Sequence, residues 1–460
     1  MRFLIVTALA FVTILEPTSL IAAPQAQEQM KEVGRILRQA SDLLGSISER
    51  DRQGLEVGIV AERARSGDLD GALAEAQLLQ RPEAKKQALG CIANAMDYSG
   101  NLSGALSLIG TLDESQRGSL YATLSGFHAT RGDLEGALRI SSLIQRDPTD
   151  LVHSLLQIAK EQSKSGDQAS AKSTLGGAFG IAENALKEDP NIPTLFMAIA
   201  LAQSEIGEAT GAETSLSHYA DIVHHTKDPV WKANFLPTIA TALAEIGDID
   251  GALRAVEELP PGSGRDAPLM LIAGELAHRG NLSDAFKSVS RISEAQTKTA
   301  GFQRIADVQA RSGDGVAALE TISMIPDLGR RAAALSALAL AQAEKGDTAA
   351  GNTVHLAWET VGKSASKVPD HVFDFIAVTR AILGDNTGAR EALNRLAPDA
   401  RAWPLSTITS FMAESGHADE ALLFAANEDS PLSKANALLG AARGLLNRVR
   451  TKAKEDSAQH

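Results

Sequence analysis

Apolar residues in this chain fall into ladders that each end on a glycine. The glycines are Gly67, Gly100, Gly132, Gly166, Gly207, Gly247, Gly280, Gly313, Gly346, Gly384 and Gly416, in steps of 32 to 41 residues. Eight positions before every one of them stands Ile or Leu, from Ile59 to Ile408. Seven before, eight of the eleven residues are Ala, and eleven before, ten are Leu, Phe or Tyr. Three before, eight are again Ala. Offsets of 11, 8, 7 and 3 lie on one face of an α-helix, so a first helix runs up to each glycine.

The residues that follow are as regular. The chain writes GDLDGAL from Gly67, GDLEGAL from Gly132 and GDIDGAL from Gly247. A glycine just past a helix takes the left-handed conformation that closes it. The Asp or Asn after it accepts backbone N–H groups at the start of a second helix. Five positions after the glycine stand ten Ala and Gly351, small enough for the two helices to touch. Prolines such as Pro148, Pro190, Pro229, Pro260, Pro326, Pro369, Pro398 and Pro431 are expected to end second helices. The unit is a helical hairpin, and a lone hairpin cannot bury its apolar face. Stacked copies bury it against one another.

The shared pattern of a small residue, Gly-Asp, and Ala-Leu five and six positions on, as in ARSGDLDGAL and AEIGDIDGAL, resembles the tetratricopeptide repeat family. The resemblance covers about residues 50–430 and implies an all-α solenoid. This is a right-handed superhelix of about eleven stacked helical hairpins with N- and C-terminal capping helices, a curved rod on the order of 100 Å along its contour. The family's Tyr four before the turn glycine is replaced by residues such as Arg63, Met96, His128 and Gln162, so the units are divergent. The expected boundaries are a signal peptide over 1–26, an N-terminal capping helix over 27–50, the solenoid over 51–430, a C-terminal capping helix over 431–449 and a disordered tail over 450–460.

Three steps are long: Gly166 to Gly207, Gly207 to Gly247 and Gly346 to Gly384. The extra residues lengthen the second helix by one or two turns. Six positions after the glycine these units carry Lys172, Glu213 and Asn352, where most short units carry Leu or Phe. Second helices over 168–187 and 209–227 would then form a polar ridge.

Composition strengthens the all-helical expectation: 44% of residues are hydrophobic but only 4% aromatic, and Ala and Leu supply the apolar content. A net charge of −13 disfavours phosphate backbones, so no nucleic-acid partner is expected. The single cysteine, Cys91, lies in an apolar run and reads as a core residue. At the N-terminus, Arg2 precedes an apolar run from Phe3 to Leu15 and then small residues, the layout of a signal peptide cut after Ala23 or Ala26. No later segment reads as an integral membrane span, so the expected location is periplasmic or secreted.

Catalytic motifs do not stand out. His218, His224 and His225 are the densest histidine group, with Asp221 and Asp228 beside them. Spacings of six and seven set His218 about 10 Å along the helix from the other two, too far to share one ion. Trp231, Trp358 and Trp403 read as packing residues. Arg443, Arg448, Arg450, Lys452 and Lys454 form a basic end that reads as a solvated helix, or as a contact for an acidic partner or lipid surface. No cofactor, metal or catalytic residue is assigned.

In the family the chain resembles, first helices line a concave groove that takes a peptide or partner helix. Positions two, three and six before each glycine border that groove by periodicity. They include Asn94, Tyr98, Lys160, Lys164, Glu205, Glu245, Asp307, Arg311, Glu344 and Glu414. The two lysines give a basic patch and the glutamates a later acidic one, while Asp307 and Arg311 are spaced to pair with each other. The expected function is an exported, non-enzymatic scaffold or adaptor for a protein partner in the bacterial envelope. The alternatives are an enzyme or metal-dependent protein with its site near His218–His225, and a small-molecule sensor or transport accessory using the groove.

Overall fold

A computed structural model describes residues 24–188, 193–225, 229–259, 262–365 and 368–458. The proposed signal segment, apart from its last three residues, lies outside them, as do Pro190, Lys227, Asp228 and Pro260. Helix α1 (Pro24–Asp42) precedes eleven hairpins. In chain order these are α2 (Glu49–Arg65) with α3 (Leu69–Leu78), α4 (Pro82–Tyr98) with α5 (Leu102–Gly110), and α6 (Glu114–Thr130) with α7 (Leu134–Ser141). Then come α8 (Pro148–Lys164) with α9 (Gln168–Glu188), α10 (Thr194–Glu205) with α11 (Ala209–His225), and α12 (Pro229–Glu245) with α13 (Ile249–Glu258). The last five are α14 (Asp266–His278) with α15 (Leu282–Ser290), α16 (Ala295–Arg311) with α17 (Gly315–Ser323), α18 (Leu328–Glu344) with α19 (Ala350–Lys363), α20 (Asp370–Ile382) with α21 (Asn386–Leu393), and α22 (Ala402–Glu414) with α23 (Ala418–Ala426). Helix α24 (Pro431–Ala458) follows, and the described residues contain no strand.

All eleven anchor glycines have positive φ, between 69° and 98°. An L side chain is strained there, which is why the sequence keeps Gly at these places. Where the next residue is Asp or Asn it accepts a backbone N–H at the start of the second helix: Asp68 accepts from Gly71 N at 3.0 Å, Asn101 from Gly104 N at 2.9 Å and Asp248 from Gly251 N at 2.9 Å. This accounts for the second glycine of GDLDGAL. A Cβ at Gly71 would overlap the Asp68 carboxylate that caps it.

All eleven Ile and Leu residues eight before the glycine are buried, as is every Ala five after it. In the unit with Gly351 the register moves by one: Ala350 takes the buried place and Gly351 is exposed. The long units have long second helices, 21 residues in α9, 17 in α11 and 14 in α19, against eight to ten elsewhere. Lys172, Glu213 and Asn352 are exposed on them. The prolines differ from expectation. Pro148, Pro229 and Pro431 open the next first helix instead of ending a second one. A first-turn proline costs nothing there, because its missing N–H has no partner within the helix.

The stack does not end in two free caps. Successive first helices touch all the way from α2 to α22, then α22 packs on α24 and α24 packs on α2. Helix α1 lies along α24 as a second helix lies along a first. Val33, Ile36, Leu37 and Ala40 of α1 are fully buried in one core with Leu438, Leu439, Ala442 and Leu446 of α24. The two terminal helices thus cap each other as a twelfth hairpin, and the solenoid closes into a ring instead of an open rod. Twelve first helices at about 9 Å spacing give a circumference of about 110 Å and a central opening about 25 Å across.

At the seam α24 lies close against the backbone of α22. A Cβ at Gly440 or Gly444 would collide with the carbonyl oxygens of Ser406 and Ser410 on α22. Thr409 Oγ1 donates to Ala437 O at 2.7 Å. Buried Glu62 accepts from Arg443 at 2.8 Å and Arg65 at 2.7 Å, and Arg450 Nη2 donates to Arg65 O at 2.9 Å. The basic end is therefore used within the chain. Helix α24 runs unbroken to Ala458, where a loose tail from residue 450 was expected.

Candidate functional site

Each first helix has a first helix on either side and second helices behind it. Only one face is left, and it looks into the ring. On α8 this face carries His153, Gln157, Lys160 and Lys164, all exposed; on α16 it carries Arg304, Asp307 and Arg311. These lie thirteen, nine, six and two positions before the turn glycine. Repeated twelve times, that stripe is a continuous inner wall. Second helices splay outward and meet mainly through long side chains, such as Lys172 to Glu208 at 2.8 Å and Asn386 to Glu420 at 3.3 Å.

The ten groove residues expected from the sequence sit on these first helices. Lys160 pairs with Glu205 of the next first helix at 2.8 Å, so the basic patch and the acidic arc join through an ion pair. Lys164 pairs with Glu161 at 2.7 Å, and Arg311 with Asp307 at 3.1 Å on one helix, as its spacing implied. Glu414 accepts from Asn447 at 3.2 Å, and Tyr98 lies under the Arg450 guanidinium, 5.0 Å from its ring centre. Asn94 is half-buried, and Glu344 is exposed. Partial desolvation of its carboxyl raises the Glu245 pKa, against the pull of Arg304. The position three before the glycine faces away from the opening: Ala64, Asp97, Ala129 and Ala343 are buried.

The outer face holds the histidine group. His218 packs its ring on Phe196 at 4.5 Å and Phe179 at 5.6 Å, beside an open depression lined by Glu213, Ser217 and Asp221. His225 Nδ1 meets Asp221 O at 2.7 Å. Among the described residues no three His, Cys, Asp or Glu side chains come together as metal ligands. Cys91 is half-buried on the inner stripe rather than in the core, and burial raises its thiol pKa. Trp358 does pack, with Arg380 4.5 Å from its ring centre. Trp403 does not; it is 46% exposed on the inner wall.

Sequence patterning missed how the family's Tyr position is used. Gln162, Gln203 and Gln309, four before the glycine, are buried and accept from Thr174, Ser215 and Thr321 at 2.7–2.8 Å. Each pair, twelve residues apart, ties a first helix to its second, and the recurring Gln with Ser or Thr was the available signal. At the same position His128 bridges Asp133 at 2.7 Å and Asp97 at 3.0 Å, and Arg131 also holds Asp97. The bond to Asp97 raises the His128 pKa despite the opposing effect of burial. Burial alone would raise Asp97, but His128 and Arg131 outweigh it and hold it low.

No protein-family model and no curated protein matches the chain. Solved structures do. Ton1535 from Thermococcus onnurineus is 14% identical, over 76% of this chain and 97% of its own, with a TM-score of 0.31. The maize pentatricopeptide repeat protein PPR10 is 14% identical over 96% and 69%, with a TM-score of 0.31. A circular tandem repeat protein is 13% identical over 94% and 93%, with a TM-score of 0.14. The units of this chain are tetratricopeptide-like helical hairpins. Their glycine turns, Asp or Asn caps and close Ala contacts make them so, and their buried Gln and His and half-buried Arg in place of Tyr make them divergent. No helix among the described residues is long and apolar enough to cross a membrane.

Proposed function

We propose that this chain is an exported, non-enzymatic scaffold or adaptor of the bacterial cell envelope that holds a protein partner on the inner wall of its ring. The observation that carries this is the closed inner face. First helices supply an unbroken wall of polar stripes, while the repeats occupy nearly all of the described chain. An opening of about 25 Å takes a helix or an extended segment, each about 10 Å wide, in preference to a folded domain. Export is supported by Arg2, the short apolar run and the small residues that follow.

Photo-crosslinking in intact cells tests the role. A photoreactive residue placed at Lys164 or Glu344, on the inner wall, is expected to capture the same protein. One placed at Glu320, on the outer helix α17, is not. Equal capture from inside and outside would overturn the assignment to the inner wall. The mature N-terminus, recovered from the periplasmic fraction, is expected at Pro24 or Gln27. A cytoplasmic protein retaining Met1 would overturn export.

A further inference from the structure

Helices α20 and α22 bring a cluster of aromatic rings to the inner wall. His371 and Phe375, one turn apart on α20, meet edge to face at 5.8 Å. Phe375 meets Trp403 of α22 at 6.0 Å, with the ring planes at 71°. The Trp403 indole is left 46% exposed in this setting.

Next to Phe375 in the chain stands Asp374, a carboxyl group with one oxygen that lacks a hydrogen-bond partner among the described residues. Asp374 stands ten positions before its turn glycine. In other units that position faces the next first helix: Gly90 lies under Leu120, and the Ser406 carbonyl abuts Gly440. The register between neighbours is also repeated. Gly126 faces Gln157 and Gly274 faces Arg304, in each case position six against position nine. Carried over to α20 and α22, that three-residue offset puts Asp374, at position ten, level with Trp403, at position thirteen. Asp374 Oδ1 is buried and has no hydrogen-bond partner among the described residues. Glu62, Asp97 and Asp266 are satisfied by two arginines, by His128 and Arg131, and by the N–H groups of Ser293 and Glu294. Glu75, Glu208 and Glu428 also have one buried oxygen without a hydrogen bond, but each is paired with a Lys or Arg, whereas Asp374 makes no ion pair among the described residues.

Burial, with Asp370 nearby, pushes the Asp374 carboxyl up to about 7. Desolvation lowers the His371 pKa against the pull of Asp370. A cation set on these rings would stabilise the ionised Asp374 and gain from the ring quadrupoles. A guanidinium suits the place better than an ammonium, since it stacks on aromatic faces and is more weakly hydrated.

We propose that Trp403, Phe375, His371 and Asp374 form a subsite for an arginine side chain of the protein partner. The subsite deepens the adaptor role proposed above by naming what the wall grips, and it rests on that role for its biological meaning. It can be tested alone, on the full mature chain, by following the indole N–H signal of Trp403 by NMR. Only three tryptophans are present, and the signal is assigned by its loss in Trp403→Phe.

The probe is N-acetyl-arginine amide, with the neutral isostere N-acetyl-citrulline amide as control. A saturable shift is expected, with affinity for the arginine compound at least fivefold higher. Asp374→Asn is expected to erase most of that preference. Equal affinity for the two probes overturns the subsite, whatever the variant does. An unchanged preference in a folded Asp374→Asn chain removes Asp374 from it and overturns the proposal as stated. If the probes fail to discriminate while crosslinks still come only from the inner wall, the subsite falls and the adaptor role stands. Discrimination without inner-wall crosslinks leaves the subsite and removes the adaptor role.

Discussion

His128 shows what one departure from the repeat pattern does. Its ring is almost fully buried between Asp97 and Asp133, and Arg131 shares Asp97, so four charged groups tie two successive hairpins together. Removing the ring leaves Asp97 with half its partners, a loss of about 3 kcal/mol by the measure of broken buried ion pairs. The pH dependence has a definite sign. The folded-state pKa of His128 is raised, so its stabilisation is complete below the ordinary histidine value of about 6.5 and is lost as pH rises through the folded pKa. Asp97 and Asp133 are held low, so their share is lost only as pH falls through their own depressed values. Thermal melts of the native chain and His128→Asn are therefore expected to differ most in the mildly acidic range, and less both in strong acid and as pH rises through the raised folded pKa of His128. A difference that grows steadily above pH 8 would contradict the bridge.

At the scale of the helix, the hairpins were legible because their causes are local. A left-handed turn demands Gly, a helix start demands an Asp or Asn cap, and a close crossing demands Ala; all three recur at fixed offsets. The longer α9, α11 and α19 were legible from the step lengths. The pattern does not say which helix Pro148, Pro229 and Pro431 belong to, because a Pro between two helices is compatible with ending one or opening the next, and only the backbone decides. The role of α24 was not legible, since it has no turn glycine to place it in the repeat. Its Gly440 and Gly444 matter through close approach to α22, not through φ. Gly440→Leu is expected to prise α24 from α22 at a cost of about 3 kcal/mol or more, since the backbone carbonyl of Ser406 cannot yield. The ring would open there first. X-ray scattering is expected to show a larger maximum dimension for the variant while circular dichroism keeps its helical content. An unchanged scattering profile would mean that the seam tolerates the side chain.

At the scale of the whole molecule, closure joins the two ends of the described chain, the pairing with the greatest sequence separation in the protein. No short-range pattern encodes it, which is why an open rod was the natural expectation from the repeats. The consequence is that the ring has no structural beginning. Helices α24 and α1 form a hairpin like the others, except that no covalent turn joins them. Arg65, Glu62, Arg443 and Asn447 across the seam substitute for chain continuity. A circular permutant that links Ala458 to Pro24 through a short Gly-Ser segment, and is cut between α11 and α12, should therefore fold to the same ring. The new linker removes loop-closure entropy from the seam, while the new cut hands that cost to the link between two successive hairpins. Its melting temperature is expected within a few degrees of the native chain, with the same scattering profile. The same cut made without the linker leaves two fragments, which are expected to associate through both the seam and the new junction. A permutant that is helical but expanded would show that α1 and α24 are joined by something other than hairpin packing, and that the ring depends on where its ends lie.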